Sequence, residues 1–144
     1  MATTTFSGPI KAGSVREGSG ANVGFVVMAQ SAVIDIIGAT AADQVCATIP
    51  ANSQIVDVIL NVTAASDDTT TATVSVGTSA DADAFVPSTD VKSVGTTRGT
   101  LDTEATDVGA SDLQILADFT AGTGDGASGA ATVTVMYIQN NNLS

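Results

Sequence analysis

Apolar residues recur at every second position in four stretches of the chain, which is the period of a β-strand with one buried face. In the clearest stretch, 55–64, five apolar residues are predicted to share one face: Val56, Val58, Leu60, Val62 and Ala64. The same alternation is found in 71–77 and, nearer the C-terminus, in 113–119 and 131–137. We therefore predict two antiparallel hairpins, one joining 55–64 to 71–77 and the other joining 113–119 to 131–137.

The remaining strands are predicted from shorter or less regular patterns. A first strand begins near Asn22, where four apolar residues alternate with others: Val23, Phe25, Val27 and Ala29. Further candidates are 44–49, which ends before a proline, 84–86 and 90–94. The stretch 31–38 fits one face of a helix as well as it fits a strand buried on both sides, and we prefer the strand. These patterns predict an all-β, single-domain antiparallel β-sandwich, like a jelly roll, of about eight strands.

The composition agrees with this fold class and suggests how the chain is divided. The apolar residues are mostly small or β-branched, and helix-favouring Glu, Lys and Arg are scarce. Residues 1–21 contain several Gly and one Pro but no sustained period, which predicts an extended N-terminal arm. The sandwich is predicted to span 22–139, and 140–144 form a short C-terminal tail.

The chain lacks the residues that most enzymes use. It has no histidine, so the usual general base and the usual transition-metal ligand are both missing. Cys46 is the only cysteine, and we interpret it as a small packed side chain rather than a nucleophile. The glycines in 122–129 are followed by a strand rather than a helix, which indicates a mobile hairpin tip rather than a phosphate-binding loop. We predict no enzymatic activity, no catalytic residues and no cofactor.

Two pairs of acidic residues raise the question of a calcium site, because hard cations prefer oxygen ligands in loops. Asp67 and Asp68 fall in the first predicted hairpin loop, and Asp81 and Asp83 follow the next strand. Neither pair has the spacing of an EF-hand, and aspartates are common in turns because they hydrogen-bond their own backbone. We prefer the turn interpretation and predict no metal.

The charge balance limits the partners that the protein can have. Four basic and fifteen acidic residues give a net charge of −11, which argues against binding to nucleic acid or to an anionic membrane surface. The N-terminus has no apolar signal segment, and no apolar run is long enough to span a membrane, so we expect a protein made in the cytoplasm. Aliphatic groups on both faces of 31–38 and of 55–59 predict a homo-oligomer.

The N-terminal arm carries features that suit a partner surface. Phe6 and Ile10 offer apolar contacts, while Lys11 and Arg16 supply half of the basic residues of the chain. We predict that these four residues bind a partner. The alternative is that the arm packs along its own sandwich as an edge strand.

Three segments also suggest a family: IPANSQIVDVILNVTAA, TATVSVGTSADADAFV and GAATVTVMYIQ, after an opening of the TFSGPIKAG type. Together they resemble the capsid decoration, or cement, proteins of tailed phages, marine phages especially. The resemblance implies a structural protein on the virion, made in the host cytoplasm, that binds the major capsid protein on the outer surface of the shell. It also implies a symmetric oligomer, for which we prefer a trimer over a dimer.

A second hypothesis is a receptor- or glycan-binding module of a phage tail fibre or adhesin. Sugar recognition usually relies on exposed aromatic rings. Tryptophan is absent and Tyr137 is predicted on an apolar strand face, which argues against this hypothesis.

Overall fold

The computed structural model describes residues 26–139 of the chain. This part contains eight β-strands and, apart from one short 3-10 helix at Thr103–Ala105, no helix, so none that could span a membrane. The strands are β1 Val27–Ile34, β2 Ala41–Ile49, β3 Ser53–Ala64, β4 Ala72–Gly77, β5 Val86–Asp90, β6 Gly95–Arg98, β7 Leu113–Ala121 and β8 Ala130–Gln139. The predicted all-β sandwich of about eight strands is confirmed.

The strands form two antiparallel four-stranded sheets. Sheet I has the order β1-β8-β3-β6, and sheet II has the order β2-β7-β4-β5. Strands pair from the two ends of the domain inwards: β1 with β8, β2 with β7, β3 with β6 and β4 with β5. The chain is therefore folded back on itself as a long double ribbon, which wraps so that β3 also joins β8 and β4 also joins β7. This is the topology of a jelly roll.

Both predicted hairpins are wrong. β3 and β4 lie in different sheets, and so do β7 and β8. Among the eight strands only β4 and β5 are consecutive and also paired. Alternation of apolar residues reports that one face of a strand is buried, but it does not identify the neighbouring strand. In this fold the polar loops after β3 and β7 cross from one sheet to the other instead of turning back within a sheet.

The predicted face of β3 is correct in the middle of the strand and wrong near its ends. A β-bulge between Ile55 and Asp57 adds one residue opposite β8. The extra residue shifts the alternation, so Ile55 is buried while Val56 is 44% exposed. Ala64 is also exposed and follows a second irregularity in the pairing. Three residues of the predicted face lie between the two irregularities and are buried as predicted: Val58, Leu60 and Val62.

The stretch 31–38 is neither a helix nor a strand buried on both sides. β1 ends at Ile34, and the chain then turns through Gly38, which has a φ of 69°. Ile34 is buried, whereas Val33 points away from the core and is 80% exposed. The outward face of β1 also contains two residues of the predicted alternation, Val27 and Ala29. Residues 22–25, where the first strand was predicted to begin, lie outside the described part of the chain.

The weaker predicted strands are correct in one case and wrong in two. The stretch 44–49 extends to the whole of β2, whereas 84–86 and 90–94 each share one residue with β5, and β6 begins only at Gly95. Phe85 and Val91, which flank β5, are buried in the core.

The core fills the space between the inner faces of the sheets. Its fully buried members of largest volume are Phe85, Phe119, Ile36, Ile49, Ile55, Leu60 and Ile115.

Two glutamine side chains connect the β1 edge of sheet I to the β2 edge of sheet II, and we call this pair the glutamine seam. The Gln30 amide donates to the Thr48 carbonyl at 2.8 Å and accepts from the Thr48 N–H at 3.1 Å. The Gln44 amide donates to the Asp35 carbonyl at 2.9 Å and accepts from the Asp35 N–H at 2.6 Å. Each amide thus makes both of the hydrogen bonds that a paired strand residue would make.

Candidate functional site

The four predicted partner-binding residues, Phe6, Ile10, Lys11 and Arg16, lie outside the described residues. Their role stays a prediction. Within 26–139 the features with possible functional meaning are the buried cysteine, the carboxylates of the loops that cross between the sheets, and the outer face of sheet I.

Cys46 is buried on β2 and lies close to its own backbone. Its Sγ donates to the Gln44 carbonyl at 3.4 Å. Burial raises the pKa of the thiol to about 11. Because only the thiolate is strongly nucleophilic, Cys46 is a poor nucleophile at neutral pH. The position of Cys46 agrees with its interpretation as a packed side chain.

Asp68 joins the two loops that cross between the sheets. Its side chain is buried and accepts from the Thr70 N–H at 2.9 Å, from the Thr123 hydroxyl at 2.9 Å and from the Gly124 N–H at 2.8 Å. The hydrogen bond from the Thr70 N–H, with those from Thr123 and Gly124, holds the pKa of Asp68 well below its usual range. The carboxylate therefore stays ionised and ties the loop after β7 to the loop after β3.

Two neighbouring carboxylates strengthen the same connection. Asp67 accepts from the backbone N–H groups of Ser128 and Ala127 at 2.9 and 2.7 Å, and these bonds lower its pKa. Asp125 accepts from the Thr69 N–H at 2.9 Å and from the Thr69 hydroxyl at 2.7 Å, which lowers its pKa as well. The segment 122–129 is therefore a crossing loop held by carboxylates, and its interpretation as a hairpin tip is wrong.

The acidic pairs do not form a recognisable metal centre. Within residues 26–139, no group of three or more acidic, cysteine or histidine side chains is placed to hold a metal ion. The oxygens of Asp67 and Asp68 already accept hydrogen bonds from the protein. Asp81 and Asp83 lie close together. The hydrogen bond with Asp81 is the main cause that raises the pKa of Asp83, and the negative charge of Asp81 is the second. Their arrangement matches the turn interpretation.

The outer face of sheet I is the surface that contains the most exposed aliphatic groups. In the register, Val27 lies opposite Ile138, and Ala29 lies opposite Met136. Val56, the extra residue of the bulge on β3, lies beside Met136 of β8. Towards the other end of the sheet the face is more polar, apart from the exposed Val33. Hydroxyl and amide groups meet across the strands there: Ser31 with Thr134 at 2.9 Å, and Thr96 with Asn61 at 2.9 Å.

One ion pair lies on this face. Arg98 Nη1 is 2.7 Å from Asp57 Oδ2, and the Arg98 side chain is 72% exposed whereas that of Asp57 is 12% exposed. Asp57 lies on the outer face, because it pairs with Met136, whose side chain points outwards. An arginine with most of its donors exposed beside aliphatic groups is typical of the residues that contribute most to protein interfaces.

Sequence reasoning did not identify this ion pair. The alternation in 55–64 places Asp57 on the face opposite Val58, where it lies, but gives no indication of a partner. Arg98 follows a polar stretch without apolar alternation, so nothing in its neighbourhood indicated a strand. The one available signal was the scarcity of cations: only four basic residues occur in the chain, so each is worth considering.

Comparisons with known proteins identify the fold but no family. No protein-family model matches the sequence, and no curated protein matches it. A chain in the capsid asymmetric unit of cyanophage Pam1 is similar, with a TM-score of 0.63 and 18% identity over 95% of this chain and 97% of that one.

Two other phage capsid structures contain similar chains. One is the acid-stable capsid of Helicobacter pylori bacteriophage KHP30, with a TM-score of 0.61 and 18% identity over 78% of this chain and 87% of that one. The other is the capsid of Ralstonia phage GP4, with a TM-score of 0.56 and 18% identity over 90% of this chain and 92% of that one. The protein therefore shares its fold with chains found in three phage capsids.

Proposed function

We propose that the protein is a structural component of a phage virion that binds the outer surface of the capsid as a symmetric oligomer and stabilises the shell. The observation that supports this proposal most strongly is the reciprocal match to the chain in the Pam1 capsid, which covers 95% of this chain and 97% of that one. The shared fold thus covers nearly all of both chains. The resemblance of three sequence segments to decoration proteins points to the same role.

The chemistry of the chain supports a structural rather than an enzymatic role. Histidine is absent from the sequence, and burial keeps the thiol of the single cysteine protonated at neutral pH. The carboxylates with the most strongly lowered pKa values, such as Asp68, hold loops together. A general base needs a pKa near the working pH, so a carboxylate of this kind is unsuited to proton transfer.

Recognition of a glycan by a tail protein is less well supported. All three aromatic residues between 26 and 139 are buried: Phe85, Phe119 and Tyr137. The Tyr137 hydroxyl also accepts a hydrogen bond from Gln30 at 3.1 Å, within the sandwich. This part of the chain therefore offers no aromatic platform on which a sugar ring could stack.

Labelling of virions tests the proposal directly. Gold-conjugated antibodies against the protein are expected to label the head surface of intact virions. Labelling of the tail tip instead would favour the receptor-binding hypothesis, and absence of any virion label would contradict both. Virions that lack the gene are expected to release their DNA at a lower temperature than wild-type virions.

We also propose that the N-terminal arm contacts the shell through Phe6, Ile10, Lys11 and Arg16. Deletion of residues 2–20 is expected to abolish binding to capsids that lack the protein, with little change in the melting temperature. The double substitution Lys11→Glu and Arg16→Glu is expected to weaken binding, whereas the control Lys92→Glu, in the sandwich, leaves it unchanged. Unaltered binding by the truncated protein would refute this role. A large loss of thermal stability would favour an arm packed on its own sandwich.

A further inference from the structure

The charges of the two sheets are distributed unequally. The strands of sheet II contain three acidic residues and no basic one: Asp43, Asp90 and Asp118. The strands of sheet I contain one acidic and one basic residue, Asp57 and Arg98, and these two form an ion pair. In a protein with a net charge of −11, sheet I is thus locally neutral.

This difference decides how two copies of the chain can approach each other. Like charges repel over about 10 Å at an ionic strength of 0.1 M, so contacts through acidic surfaces are opposed electrostatically. A contact through sheet I avoids that repulsion. The exposed guanidinium of Arg98 can also pair with a carboxylate of another copy, so the face contains charges of both signs that are complementary to each other.

The apolar groups on sheet I make the same face suitable for burial. Val27 and Val56 are 50% and 44% exposed, and their neighbours Met136 and Ile138 also point outwards. Part of the opposite face is already occupied by its own chain. The loop after β4 lies against Gly77 of sheet II so closely that a Cβ atom there would overlap the Asp81 carbonyl oxygen.

We propose that the outer face of sheet I is the surface through which copies of this chain associate, and that it lines the symmetry axis of the oligomer. The occupant of the face is a second copy of the chain. Val56 and Met136 lie in the contact, and Arg98 bridges Asp57 of its own chain and that of a neighbour. This inference specifies the surface used by the proposed oligomer, and it is tested in solution without capsids.

Sedimentation of the purified full-length protein at micromolar concentration and physiological ionic strength tests this surface. The wild type is expected to sediment as an oligomer. Val56→Asp and Val27→Asp each place a carboxylate on the face and are expected to weaken association by roughly tenfold or more. The matched control is Val45→Asp, because Val45 is a 56% exposed valine on β2 of sheet II. It is expected to leave the oligomer intact.

Circular dichroism and thermal melting show whether each variant is folded, so that loss of mass is not confused with unfolding. Folded Val56→Asp and Val27→Asp proteins with unchanged mass would overturn the inference. Dissociation caused by Val45→Asp alone would do the same. A monomeric wild type that still labels the virion head would refute the self-association surface and the proposed oligomer, and leave the proposed position on the capsid standing. An oligomer that does not label virions would refute only the proposed function.

Discussion

The two sheets have equivalent inner faces and different outer ones. Inside, each contributes aliphatic residues that are fully buried, such as Val58 and Leu60 in sheet I and Val74 and Ile115 in sheet II. Outside, sheet II is acidic and partly covered by the loop after β4, whereas sheet I is neutral and aliphatic at one end. Folding requires only the inner faces to be alike. The difference between the outer faces is the one that the proposed association through sheet I requires.

The largest expected effect appears when alanine replaces one of two glycines, one in each sheet. Gly77→Ala, in sheet II, is expected to cost about 3 kcal/mol, because its Cβ atom would collide with backbone of the loop at 81–82. Gly95→Ala, in sheet I, has no neighbouring atom within 4 Å and is expected to be neutral or slightly stabilising. Urea unfolding measures both. Equal costs would contradict the close approach of the loop at 81–82 to Gly77.

Removal of the buried carboxylate between the sheets is expected to have the next largest effect. Asp68→Ala leaves the donors of Thr70, Thr123 and Gly124 without their acceptor, and we expect the melting temperature to fall by roughly 5 °C. The control Asp81→Ala, in an exposed turn, is expected to change it by about 1 °C or less. Similar shifts for the two variants would show that the crossing loops are not held by Asp68.

A smaller effect is expected from the ion pair on sheet I. Arg98→Met keeps much of the side-chain volume but removes the partner of Asp57, and the exposure of the guanidinium limits the expected cost to about 1 kcal/mol. Lys92→Met serves as the control, since the exposed Lys92 ammonium donates to a backbone carbonyl, that of Thr70 at 2.7 Å, rather than to a carboxylate. Chemical denaturation of both variants provides the measurement. A cost for Lys92→Met that equals or exceeds that for Arg98→Met would contradict the structural role of the pair.

The smallest change is expected between pH 8 and pH 5. No histidine is present, and the lowered pKa values of Asp67, Asp68 and Asp125 keep these groups ionised throughout that range. A lowered folded-state pKa contributes stability above the unfolded value of about 4 and loses it as the pH falls through the folded value. Thermal melting should therefore be level down to about pH 5 and decline below about pH 4. Asp83, whose pKa is raised, acts in the opposite direction.

The acid transition of an Asp68 variant tests whether this carboxylate contributes to the loss of stability at low pH. Asp68→Asn should show a smaller loss of stability on acidification than the wild type, because one of the carboxylates that must be protonated is gone. An acid transition of unchanged size in that variant would place the titrating groups elsewhere.

The sequence was sufficient to predict the fold class and most strand positions, because period-two alternation follows directly from burial of one face. It was not sufficient to predict pairing. Leu60 and Val74 were placed in neighbouring strands of one hairpin, whereas they face each other's sheets across the core. The apolar alternation around each of these residues is compatible both with a hairpin and with strands in two facing sheets. Topology depends on long-range pairing, such as that of β1 with β8, which local patterns do not encode.

The candidate surface was predicted only in part. Exposed aliphatic groups on 31–38 and 55–59 were expected, and Val33 and Val56 are indeed exposed. The ion pair was not expected, because the pattern around Asp57 does not identify the strand that lies beside it. Its partner Arg98 belongs to β6, which pairs with β3 across more than thirty residues of sequence. The contribution of the N-terminal arm remains a prediction from Phe6, Ile10, Lys11 and Arg16.

The glutamine seam has a consequence for solubility at high concentration. An unpaired strand edge presents free N–H and C=O groups, and such edges allow chains to add to one another without limit. On β1 and β2 the amides of Gln30 and Gln44 occupy backbone groups of Thr48 and Asp35, at the place where the two edges come together. Growth of a continuous intermolecular sheet from these two edges is therefore hindered.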